Sequence, residues 1–152
     1  MKGTLIMKEK FSWDSETGIA ICVIEYSGEK FYGKAVCHDS DMDFLSERTG
    51  CAIAESRALI KQMKYIKKCE LMPELKALKN TYHVMTVNKN FNHDSAEARI
   101  MRRHIKMKEA EILDIKNTIT KEKEALSYYI NEKDKLYKKL RKNKQSNTTG
   151  QN

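Results

Sequence analysis

One proline, six glycines and four cysteines in 152 residues leave few helix breakers and few reactive thiols. With Pro73 the only proline, long uninterrupted helices are open to this chain, because proline is the residue that most strongly stops one. Cys22, Cys37, Cys51 and Cys69 lie 14 to 18 positions apart. Without a C-x-x-C or a histidine pair at ligand spacing, that pattern points to neither a zinc site nor a redox pair. Reduced, partly buried thiols are expected. No apolar run approaches the roughly 18 residues of a membrane span, and the apolar stretch within residues 1–8 is too short for a secretory signal. A soluble intracellular protein with no membrane partner is expected, of a length that suits one modest core.

Charge is unevenly distributed. The net charge is +8, yet residues 1–50 hold 6 Lys/Arg against 9 Asp/Glu while residues 51–152 hold 23 against 12. The basic character belongs to the later part of the chain, where lysine on a solvated helix face serves solubility or attracts anionic partners.

Period-two alternation runs through Phe11-Ser12-Trp13, Ile19 to Ile24 and Phe31 to Val36, with turn signals at Asp14 to Gly18 and at Ser27-Gly28. That pattern predicts a three-stranded antiparallel meander, too small to bury both faces alone, which must pack on helices or on another copy. An acidic link, Asp39 to Asp43, leads into a helix starting near Phe44 to Glu47. Pro73 is expected to interrupt or kink this helical region. Beyond it Leu71, Leu75, Leu78, Tyr82 and Met85 recur at heptad spacing. Asn88 to Asp94 reads as a turn, and Asp94 with Glu97 has capping-box spacing. In the following helix, Ile105, Ile112, Ile119, Leu126 and Leu140 share one heptad position and Met101, Ile115, Tyr129 and Leu136 another, with Lys108, Glu122 and Lys133 as exceptions. From Ser95 to about Lys142 it would reach about 70 Å. Its predicted partner is shorter, so the distal portion is expected to pair with another subunit.

The fold class expected is therefore α+β in a single domain over 1–145. A small antiparallel β-meander over about 8–38 is followed by a long antiparallel, coiled-coil-like helical hairpin over about 44–142. Residues 146–152, rich in Ser, Thr, Asn and Gln, read as a disordered tail.

Candidate chemistry is sparse. Cys37 and His38 are adjacent on a strand and point to opposite faces, so they form no direct dyad. Asp39, Asp41 and Asp43 lack the calcium-loop pattern and read as capping and solubility. Arg57, Arg99, Arg102 and Arg103 are more informative, because a guanidinium forks onto phosphate oxygens and keeps its charge. With Phe91 and Asn92 in the preceding turn, Arg102 and Arg103 would supply stacking, a base-edge hydrogen bond and phosphate neutralisation. The plainer alternative makes Phe91 a plug under the turn, Asn92 a turn former and the arginines solvated partners of Glu97 and Asp94. Tyr82 sits on the heptad seam. The basic run from Lys133 to Lys144 reads as a solvated helix end or as a phosphate-backbone contact.

The pattern Tyr32-Gly33-Lys34-Ala35-x-Cys37-x-Asp39-x-Asp41, then Ser46-Glu47-x-x-Gly50-x-x-Ile53-Ala54-x-x-Arg57-Ala58, succeeded by a lysine-rich helical hairpin, resembles small proteins of phages that infect Gram-positive bacteria. Within that group it is similar to the Thoeris anti-defence sponge family, first type, over about residues 31–140. The resemblance implies a non-enzymatic protein, needing no cofactor, in the cytoplasm of the infected bacterial host. Such a protein binds cyclic ADP-ribose isomers made by TIR-domain immune enzymes and withholds them from their effector. It also implies a homo-oligomer, dimeric or hexameric, and in some members a separate site for cyclic oligonucleotides. The ligand-binding positions it implies are Arg57 and Asn92, followed by Arg103, Arg102, Phe91 and Tyr82. Two other readings remain: a nucleic-acid-binding phage accessory protein using basic helix ends, and an architectural coiled-coil adaptor.

Overall fold

The three alternating runs become strands β1 (Lys8–Asp14), β2 (Ile19–Tyr26) and β3 (Glu29–Val36), paired antiparallel in that order in a computed structural model that describes residues 8–149. Both turns have local causes. At the first, the Asp14 carboxylate accepts from Glu16 N–H and Thr17 Oγ1, each at 2.9 Å. At the second, Ser27 and Gly28 both take positive φ, 50° and 79°, the two-residue geometry whose twist matches that of paired strands. A 3₁₀ turn (Asp39–Phe44) then precedes α1 (Glu47–Tyr65), a π-helical turn (Ile66–Leu71), α2 (Met72–Thr86) and α3 (Ala96–Thr149). The fold is α+β, as the alternation and heptad spacing together indicate.

The backbone forms two compact units, one running to Gln62 and resuming at Lys121, the other Met63–Thr120. In the first, one face of the sheet carries Trp13, Ala20 and Ala35 in one row and Phe11, Cys22 and Gly33 in the next. Ala20, Cys22, Ile24 and Ala35 bury against Ile53, Ala54 and Ala58 of α1, with Leu126 and Ile130 of α3 packed against the same cluster. Small residues let α1 lie directly on the strands. A Cβ at Gly33 would stand 1.8 Å from the Ala54 carbonyl oxygen, closer than any side chain tolerates.

The distal part of α3 thus covers its own chain's core. The helix-length mismatch that suggested a second subunit has an intramolecular answer here. The first heptad series holds in this stretch, with Leu126 and Leu140 shielded, but the second slips. Tyr129 and Leu136 are exposed, while Leu126, Ile130, Lys133 and Tyr137 turn inward, because an α-helix drifts against a strict seven-residue repeat and packs here on a sheet and α1. The acidic link is likewise more than capping. Asp41 is buried and paired with Arg141, Asp43 pairs with Lys144, and Phe44 meets Tyr137 with ring centroids 5.9 Å apart. These contacts tie the 3₁₀ turn to α3, so Arg141 and Lys144 are not simply a solvated helix end. Helical backbone continues to Thr149, into the polar stretch that composition reads as tail; residues 150–152 lie outside the described residues.

In the second unit α2 and the first half of α3 pack by their heptad positions: Leu71, Leu75, Leu78, Tyr82 and Met85 against Met101, Ile105, Ile112, Ile115 and Ile119 are all shielded to some degree. Lys108 keeps the seam because Glu74 and Glu111 accept from its ammonium at 2.6 and 3.3 Å. The helical path continues through Pro73. The π-helical turn before it lets Met72 N–H reach back five residues to Lys67 O, easing the ring past the preceding turn. The cap of α3 is Ser95, not the Asp94–Glu97 box. Its Oγ accepts from Ala98 N–H at 3.1 Å, while Asp94 N–H is held by Asn92 Oδ1, which leaves Asp94 inside the turn.

Candidate functional site

The turn joining α2 to α3 is built by side-chain amides. Asn88 Oδ1 accepts from Asn90 N–H at 3.0 Å, and Asn92 Oδ1 from Asp94 N–H at 2.9 Å. Phe91 sits half-buried between them, its ring perpendicular to Tyr82 at 6.1 Å and to His93 at 4.6 Å. From the following helix, Arg102 Nη1 donates to the Tyr82 hydroxyl at 3.1 Å. A guanidinium, three rings and a carboxamide therefore share one end of this unit.

Five of the six expected ligand residues lie in this unit, and three of them, Tyr82, Phe91 and Arg102, form a contact chain. Asn92 has its carbonyl end committed to the turn, which leaves the NH2 end to donate outward. Arg103 is exposed and follows Arg102 by one helical step, so it points about 100° away. Neither arginine pairs with Asp94 or Glu97; Arg102 goes to a phenol instead. His93 joins the ring cluster although no sequence pattern singled it out. A groove of about 480 Å³ runs between Glu74, Ala77, Leu78 and Thr81 of α2 and His104, Met107, Lys108 and Glu111 of α3. Lys108 is already engaged by the two glutamates there, and its hydrogen bond to Glu74 is the main cause that holds its pKa above the usual lysine value.

Arg57 belongs to the other unit. Its Nη1 donates to Lys34 O at 2.7 Å, and one turn on, Lys61 Nζ donates to Tyr32 O at 2.7 Å. Both carbonyls are on β3, an edge strand. Sequence reading does not single out Lys61; Tyr32 and Lys34 stand in the pattern that leads to Arg57, but which backbone carbonyls Arg57 and Lys61 meet depends on how α1 crosses the sheet. The one available signal was the four-residue spacing of Arg57 and Lys61 beside the small residues Ala54 and Ala58.

A third cluster is acidic. Glu55 of α1 shares a hydrogen bond with Glu9 of β1, which, with burial and the nearby charges of Glu9 and Glu122, raises its pKa from the ordinary 4.5 to about 7. Glu122 Oε1 accepts from Ser56 Oγ at 2.7 Å. The Cys22 thiol donates to Glu9 at 3.6 Å and is pushed up to about 12, first by burial and then by the Glu9 charge. Burial also raises Cys37 and Cys51, so all three are thiols rather than nucleophilic thiolates at neutral pH. Cys37 Sγ contacts the His38 carbonyl, and the His38 ring turns to Ser40.

No family model, no curated protein and no solved structure matches this chain.

Proposed function

We propose that this protein binds a phosphate-bearing cyclic nucleotide of the cyclic ADP-ribose type and holds it without cleavage. It would act in the infected bacterial cell as a sponge that keeps the signal from its effector. The observation that carries this reading is the Arg102–Tyr82–Phe91 chain beside Asn92. A guanidinium held by a phenol keeps its remaining N–H groups for phosphate oxygens, a ring offers stacking to adenine, and a free carboxamide donor reads a base edge. The resemblance separately implies Arg57, in the sheet-and-helix unit, as a phosphate ligand. Sequestration requires affinity and no positioned base or nucleophile. The resemblance also motivates a homo-oligomer and a separate site for cyclic oligonucleotides.

The test is capture and release. Purified protein is mixed with cyclic ADP-ribose isomers and cyclic oligonucleotides, freed of unbound ligand by filtration, heat-denatured, and its released ligand identified by mass spectrometry. Intact cyclic ADP-ribose isomer from the wild type, with recovery cut at least about tenfold in Arg102→Ala, supports the reading. A folded sample that releases nothing defeats it.

A further inference from the structure

The sheet has a second face. Opposite the buried side, the register places Lys10, Val23 and Tyr32 in one row across the three strands and Ser12, Ile21 and Lys34 in the next. Ile21 and Val23 are half-buried, and Tyr32 is 51% exposed at the centre of β3. Beside this row, Arg57 and Lys61 reach the β3 edge and donate to the carbonyls of Lys34 and Tyr32.

Two consequences follow for a partner. The two cations occupy acceptors that an incoming β-strand would need, so this edge is closed to strand addition. A carbonyl also leaves the charge of its donor intact. Lys10, Lys34, Arg57 and Lys61 have no acidic partner among the described residues. Asp14 and Glu25 are the acids on this face, and Glu25 already pairs with Lys30 at 3.7 Å. A second copy laid face to face would bring like charges together, whereas an anionic chain would be attracted. The carbonyls that hold Arg57 and Lys61 are two strand residues apart, about 7 Å, a separation suited to successive phosphates of an extended strand.

We propose that this outer face and the β3 edge bind single-stranded nucleic acid, with phosphates on Lys34, Arg57 and Lys61 and a base stacked on Tyr32. A half-apolar sheet face with an exposed ring and flanking cations supplies the stacking platform and the electrostatic track of such recognition. The surface belongs to the sheet-and-helix unit and the ring cluster to the helical-hairpin unit. Arg57 enters both readings, so the test leaves it unchanged.

The experiment is fluorescence anisotropy of a short labelled oligodeoxythymidine with the full-length protein, titrated across salt concentrations. Binding is expected to weaken about tenfold in Tyr32→Ala. The slope of log affinity against log salt is expected to fall by about 0.7 for each cation removed in Lys34→Gln and Lys61→Gln. Neither the Tyr32 nor the Lys34 side chain forms a hydrogen bond or ion pair among the described residues, so those two variants keep the fold, as circular dichroism would verify. No binding at low salt would overturn the proposal. So would equal affinity in all three variants, equal affinity for a duplex of the same length, or a wild-type dimer that Tyr32→Ala dissociates, which would assign the face to a second copy.

Discussion

At the scale of single residues, two buried polar groups set expectations for stability. Gln62 is fully buried, and neither end of its amide has a hydrogen-bond partner among the described residues. Burying an unpaired amide costs free energy that an apolar side chain of similar size does not. Gln62→Met should therefore raise stability by about 1–2 kcal/mol, measured by urea unfolding; a loss of stability would mean that the amide has a partner. Glu55 behaves differently. Its carboxyl keeps a proton in the folded state up to about pH 7, whereas in the unfolded chain it releases that proton near 4.5. Between those values the folded state binds more protons, so this group's contribution to stability falls as pH rises. Glu55→Gln keeps a hydrogen bond to Glu9 without a titrating group and should remove that part of the pH dependence. The wild type should lose on the order of 1 kcal/mol relative to Glu55→Gln from pH 4.5 to pH 8, after allowance for solvent screening. Parallel stability curves for the two proteins would contradict the shared hydrogen bond. Little at this scale is legible in the sequence. That Arg57 would meet Lys34 O, or Arg102 the Tyr82 hydroxyl, depends on how elements cross, which no local pattern encodes.

At the scale of elements, legibility follows the range of the forces. The strands and their turns are readable because alternation and turn chemistry act within a few residues, as Asp14 and Ser27-Gly28 show. The α2–α3 seam is readable because both helices keep heptad spacing from Leu71 to Met85 and from Met101 to Ile119. The reading of the second series fails beyond Glu122, at Tyr129 and Leu136, where α3 changes from a helical neighbour to the sheet and α1, while the first series holds at Leu126 and Leu140. Sequence reading fails also at Asp39–Phe44, whose 3₁₀ turn is tied by ion pairs about a hundred residues distant in sequence. Those pairs make a prediction. Asp41→Ala would leave the Arg141 guanidinium without its buried partner and loosen the ring contact of Phe44 with Tyr137, costing about 2 kcal/mol. Asp43→Ala, at an exposed pair, should cost less than about 1 kcal/mol. Comparable losses in thermal unfolding of the two variants would show that burial does not separate them.

At the scale of the whole molecule, a sheet-and-helix unit and a helical-hairpin unit each assemble cationic and aromatic groups, one along the β3 edge and one around the α2–α3 turn. The candidate ligand residues were partly legible. The turn aromatics and paired arginines stand out as residue types, and five of the six fall in one unit. Their contacts, and the addition of His93, come from tertiary structure. Binding of an intact cyclic nucleotide is the property on which the proposed function rests. Isothermal titration of a cyclic ADP-ribose isomer into the full-length protein measures it directly. The expected result is saturable binding with recovery of unmodified ligand, and affinity reduced about tenfold or more in Arg102→Ala. No heat of binding across the isomers, or conversion of the ligand during the titration, would contradict sequestration.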